Sequence, residues 1–151
     1  MDRNGLIEIP EDMENAKNET GNADLNSLVF TDYMQEMISR YKIKRSDISR
    51  ITGISQDYLY KILSGTKHTA QIDYIIAICC VIGMNGSETQ HALSINGMPV
   101  LNEKDPRDKL ILDSLDDSVS LYKLNDRLEK AGYPWLRFTK DMETYISDNS
   151  D

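Results

Sequence analysis

The residues best equipped for chemistry lie between Lys42 and Lys67. Gln56, Asp57, Tyr60, Lys61 and Ser64 share one face if their segment is helical, because positions three and four apart then stack above one another. A glutamine amide such as that of Gln56 can bond an adenine edge bidentately, while Lys61 and Arg50 suit phosphate oxygens or guanine. Tyr60, one turn beyond Gln56, can stack, bond a phosphate or touch a thymine methyl. Ser55 and Ser64 can bond phosphate oxygens, and the positive end of a helix starting at Ser55 adds to the attraction. Asp57 fits poorly beside phosphate; it can accept from cytosine or support the first helical turn through the dipole. Lys42, Lys44 and Arg45 upstream and Lys67 downstream add cations around this face. Such a set can contact double-stranded DNA, with cations for the backbone and an amide and an aromatic for base edges. The plainer alternative is the solvated face of an ordinary helical bundle, and composition alone does not separate the two.

Holding these side chains together requires two short helices and a tight turn. From Arg45 the first helix has Ile48 and Ile51 on one side, with Arg45, Asp47 and Arg50 around them. Gly53 is where that helix stops at least cost, since glycine enters the left-handed region without a Cβ clash. Ile54 packs the turn and Ser55 caps the next helix. Leu59, Ile62 and Leu63 give the second helix a single buried stripe and leave the Gln56–Tyr60 face free. Two short helices joined by a glycine-containing turn form a helix-turn-helix pair.

These residues resemble a known family. Ile48-Ser49, Gly53-Ile54-Ser55, Leu59, Ile62 and Gly65 are similar to the lambda-repressor-like (XRE-type) helix-turn-helix family, over roughly residues 30 to 84. Ser49 stands where the family usually has alanine, and Leu63 where many members have glutamate. Arg45 occupies the place of a glutamine that contacts DNA in many members, so base preferences do not transfer. The resemblance implies a five-helix DNA-binding domain whose second paired helix enters the major groove.

Composition sets the frame. At 151 residues, 40% apolar and 28% charged, the chain supports one domain or two small ones with a real core. No apolar run approaches the roughly 20 residues that span a membrane, and the acidic start is neither a signal nor a transit peptide, so the cytoplasm is expected. Net charge is −8, which argues against nucleic acid, but its distribution does not: residues 1–29 carry −5, residues 30–70 carry +3 and residues 71–151 carry −6. Cys79 and Cys80 are neighbours that make neither an ordinary bridge nor a zinc site, and read as small core residues. His68 and His91 have no metal-like spacing, no glycine-rich phosphate loop follows a strand, and Asp113, Asp116 and Asp117 read as a solvated helix end. An enzyme, a cofactor and a metal are not expected.

In chain order, residues 1–27 read as a disordered acidic tail, residues 28–97 as the helix-turn-helix domain and residues 98–151 as a small C-terminal helical extension. Thr31 is the expected cap of a helix to about Tyr41, with Tyr33, Met37, Ile38 and Tyr41 buried. A nearly all-apolar helix, Gln71 to Ile82, belongs at the centre of the core. Ser87 to Gln90 is a capping-box pattern for a fifth helix ending at Gly97. Asp105-Pro106 opens a sixth helix, Ser120 caps a seventh with Leu121, Leu124, Leu128 and Ala131, and Phe138, Met142 and Ile146 suggest a last one. Leu93, Gly97, Pro99 and Leu101 are echoed 35 residues later by Leu128, Gly132, Pro134 and Leu136. The echo describes a repeated way of ending a helix within paired hairpins. Some bacterial members of the family share that arrangement, which extends the resemblance to about residue 136. Tyr58, Tyr74, Tyr122, Tyr133 and Trp135 read as packing, although Gly132 to Leu136 could form a protein contact. The expectation is an all-α, sequence-specific transcriptional regulator of repressor type. It would bind double-stranded DNA as a homodimer, with the C-terminal helices as the dimer or partner surface. The alternative is a protein-interaction module, an antitoxin or adaptor that keeps the fold without strong DNA binding.

Overall fold

The structure is a computed structural model of the chain; it describes residues 2–3, 5–6, 22–66 and 72–136, with side chains from residue 29 onward. Seven helices are described: α1 (Asn22–Tyr41), α2 (Arg45–Thr52), α3 (Gln56–Leu63), α4 (Ile72–Ile82), α5 (Gly86–Ile95), α6 (Pro106–Asp116) and α7 (Leu121–Lys130). Asp2–Arg3 and Gly5–Leu6 pair in parallel as two-residue strands, the sole extended pairing among the described residues. The architecture is all-α, as the sequence predicts. The final helix suggested around Phe138 to Ile146 lies outside the described residues, as do Lys67 and His68.

α1 starts earlier than its sequence suggests. Thr31 is not a cap: the helix begins at Asn22, inside the expected tail, and the Thr31 hydroxyl is buried within it without a partner. Nothing between Asn22 and Phe30 breaks a helix, and Phe30, Met34, Met37 and Ile38 continue a single buried stripe. That stripe keeps Met37 and Ile38 of the one expected and corrects the rest: Tyr33 is half-buried on its flank and Tyr41 is exposed. α5 is also capped differently. Asn85, not Ser87, is the N-cap, with Asn85 Oδ1 accepting from Glu88 N and Glu88 Oε1 accepting from Asn85 N. An acidic Glu88 in the first turn suits the helix dipole better than a neutral Gln90 would. Gln90 is occupied elsewhere, as described below.

α4 forms the centre. Ile75, Ile76, Ala77, Ile78 and Cys79 are all fully buried, and α1, α2, α5 and α7 pack around this helix. A helix apolar on nearly every side is stable only when surrounded in this way. α5 packs on α6, which carries the same hydrophobic core onward into the C-terminal part.

The echo extends to whole hairpins. Shifting α4–α5 by 35 residues lays α5 on α7, N-cap Asn85 on N-cap Ser120, and left-handed Gly83 (φ 103°) on left-handed Ser118 (φ 57°). Gly97 (φ 74°) and Gly132 (φ 85°) end the second helix of each hairpin. In both, the next backbone N–H reaches back: Met98 N donates to Leu93 O and Tyr133 N to Leu128 O, each at 2.9 Å. Leu101 and Leu136 then fold into the core. Gln90 clasps Leu101 through two bonds, Leu101 N to Oε1 (2.7 Å) and Nε2 to Leu101 O (2.8 Å). Its counterpart Asn125 receives Leu136 N at 2.9 Å, while its Nδ2 is buried and unpaired. Asparagine is one methylene shorter, which accounts for the half-made clasp.

Candidate nucleic-acid interface

The α2–α3 turn is locked by local bonds. Gly53 is left-handed at φ 78°, and its N–H donates to Ser49 O at 2.9 Å. Ser49 Oγ donates across the turn to Ile54 O at 2.5 Å. Thr52 Oγ1 donates to Ile48 O at 2.7 Å and accepts from Ile54 N at 3.2 Å. Ser49 is therefore more than a stand-in for alanine; its hydroxyl fastens the turn, as does that of Thr52, which sequence reasoning passed over. Ile48, Ile54, Leu59, Ile62 and Leu63 are buried beneath. Ser55 caps α3 by accepting from Tyr58 N at 3.1 Å, a bond of a type whose loss costs about 1 kcal/mol.

That frame leaves Gln56, Asp57, Tyr60 and Lys61 exposed on α3, with Tyr60 at 64% the most exposed large apolar side chain among the described residues. Gln56 opens the helix, where N-terminal residues can approach base edges. Lys61 is paired with Asp57 at 3.1 Å and Arg50 with Asp47 at 3.2 Å. Exposed pairs at these spacings are worth roughly 0.3–0.5 kcal/mol, so a phosphate can displace either carboxylate. Ser64 lies at the end of α3, its hydroxyl 2.8 Å from that of Thr66.

The cations ahead of α2 differ. Lys42, Lys44 and Arg45 are exposed and make no ion pair among the described residues. Arg45 also meets Tyr60 and Ser64 around a shallow depression completed by Leu63 and Gln35. Gln35 of α1 was missed from sequence, because an isolated glutamine on the polar side of a helix carries no spacing signal. Of the sequence-derived candidates, Arg45, Tyr60 and Ser64 thus converge on one concavity, with Gln56, Asp57 and Lys61 on the same helix.

A second set of contacts holds the base of this strip. Tyr41 OH donates to Glu88 Oε1 at 2.6 Å, Arg40 lies 3.5 Å from Glu88 Oε2, and Tyr33 OH donates to Glu88 O at 3.1 Å. The Tyr33 ring meets His91 edge-on, centroids 4.7 Å apart. Burial, and then the Glu88 carboxylate, push the Tyr33 phenol up to about 12. The bond to Glu88 raises that of Tyr41. Glu88 therefore ties the last turn of α1 to the first turn of α5. Cys79 and Cys80 are buried free thiols, each pushed up to about 12 by desolvation, and so stay neutral and unreactive. Among the described residues no group of His, Cys, Asp and Glu could hold a metal ion, and no helix is long and apolar enough to cross a membrane.

Residues 34–88 match the family model of the Cro/C1-type HTH DNA-binding domain. The match runs from within α1 into α5, encloses the whole α2–α3 turn, and bears out the resemblance read from Ile48 to Gly65. No curated protein and no solved structure matches the chain.

Proposed function

We propose that this Cro/C1-type domain makes the chain a sequence-specific transcriptional regulator of repressor type, reading the major groove with α3. The observation that carries the proposal is the run of exposed cations Lys42, Lys44 and Arg45, without an ion pair among the described residues, with Arg45 set beside the exposed Tyr60 of a helix whose turn is locked. Phosphate contacts from Lys42, Lys44, Arg45 and Lys61, with Arg50, Ser55, Ser64 and Lys67 adding to them, fix the register. Gln56 and Tyr60 read bases, and Asp57 tunes the face by holding or releasing Lys61. One helix-turn-helix pair spans few base pairs, so the protein acts as a homodimer on two half-sites.

The test is selection of random duplex DNA by the purified protein, then binding to the recovered site against salt. A palindromic motif and affinity falling steeply with salt are expected. Gln56→Ala and Tyr60→Ala should each weaken that site by roughly 1–3 kcal/mol while leaving mixed-sequence DNA nearly unaffected. Folded protein with no motif and no salt-dependent binding would sink the reading in favour of a protein partner.

A further inference from the structure

We propose that Lys42 is a dedicated phosphate contact, held in place by a left-handed backbone that glycine would fill more cheaply and braced by Tyr41 on Glu88. The inference rests on the DNA-reading proposal above and names the residue that anchors that same surface.

Lys42 follows α1 at φ 56°. Its N–H donates to Ser39 O at 3.2 Å and Ile43 N donates to Ile38 O at 3.3 Å, the paired bonds of a helix end whose left-handed residue is usually glycine. This chain follows that usage elsewhere: Gly53, Gly65, Gly83, Gly97 and Gly132 take the left-handed positions, and among the described residues only Lys42 and Ser118 do so with a side chain. A lysine is disfavoured there, because its Cβ crowds the following carbonyl. Its side chain repays none of that inside the protein, being exposed and without an ion pair among the described residues. The backbone on either side cannot relax to relieve it. Tyr41 is bonded to Glu88, and its ring lies 3.4 Å from where a Cβ on Gly83 would be, so the two elements are in close contact. Ile43 packs against the core on the other side. The fold therefore holds the backbone that carries this lysine in one place, next in sequence to Lys44 and Arg45, where a backbone without a side chain would serve the fold as well. Strain kept at a surface position whose side chain has no partner among the described residues is the pattern of a functional contact.

The test uses the full chain, a mixed-sequence duplex, four single variants and one double variant. Lys42→Gly should keep the Tm or raise it by roughly 2–4 °C. The same variant should weaken binding on the order of tenfold at about 0.1 M salt and flatten the log–log salt slope by about 0.9, the signature of one lost phosphate. Lys42→Gln should lose the same slope with no gain in Tm, and Lys42→Arg should keep it. Tyr41→Phe removes only the hydroxyl; it should lower affinity in the wild-type background and not in Lys42→Gly, a coupling that general destabilisation does not produce. An unchanged slope in folded Lys42→Gly overturns the proposal. Wild-type protein that binds no duplex overturns the reading beneath it instead, so the two failures are distinguishable.

Discussion

The hairpins α4–α5 and α6–α7 share helix ends, caps, left-handed residues and the clasp on a returning leucine, yet their contents differ. Where α4 has buried Ile78, Cys79 and Ile82, α6 and its C-cap have exposed Asp113, buried Ser114 and exposed Asp117. Where α5 has buried Ala92, α7 has Arg127, whose guanidinium donates to Ser114 Oγ at 3.2 Å and to Asp117 Oδ2 at 2.9 Å. In the first hairpin these positions are covered by other helices, and all of them are apolar. The second is the outer layer, so the same backbone plan closes through a polar tie. Helix ends are set by local backbone chemistry and recur; side-chain content is set by what lies outside, and does not.

The sharpest way to break this comparison is to exchange corresponding residues. Ile78→Asp should unfold the protein or cost roughly 4 kcal/mol or more, since it buries an unpaired charge, whereas Asp113→Ile should stay within about 0.5 kcal/mol. Urea melts of both variants decide it, and comparable losses would mean that the second hairpin is packed as the first is. Alkali should single out the first hairpin next. A thiol raised in the folded state from 9.0 to about 12 binds its proton more tightly there than in the unfolded chain. Stability is therefore fully present below pH 9 and falls as pH climbs toward 12. Urea midpoints should drop across that window, and a Cys79→Ala, Cys80→Ala double variant should retain the smaller decline due to Tyr33 and Tyr41. Smallest is the contrast between the clasps. Gln90→Met breaks two made bonds and should cost about 1–3 kcal/mol; Asn125→Leu breaks one and removes a donor that is already unpaired, and should cost less.

Much of this was legible in the sequence, for a physical reason. Gly53, Ser55 and the Ile48-to-Leu63 stripe are local signals, and the turn they predict is closed by bonds spanning at most five residues. The 35-residue echo was equally visible, because glycine and proline at fixed offsets dictate backbone. What was hidden depends on partners distant in sequence. Thr31 looked like a cap because threonine suits that role, although the spacing of Phe30, Met34, Met37 and Ile38 already carries a helix through it. Ser87 looked like a cap until Gln90 proved to be held by Leu101. Gln35 reaches the candidate interface only through the packing of α1 near α3, and the left-handed conformation of Lys42 has no sequence marker at all.

The two thiols sealed inside α4 are also a chemical clock for the molecule's breathing. Neither can meet a labelling reagent until the helices around α4 part, so the rate of modification measures how often that opening occurs. Their position at the centre of the core makes them report global rather than local opening. A ligand that binds only the closed protein must slow the clock in proportion to its occupancy, so duplex DNA can be scored by its effect on two residues it never touches.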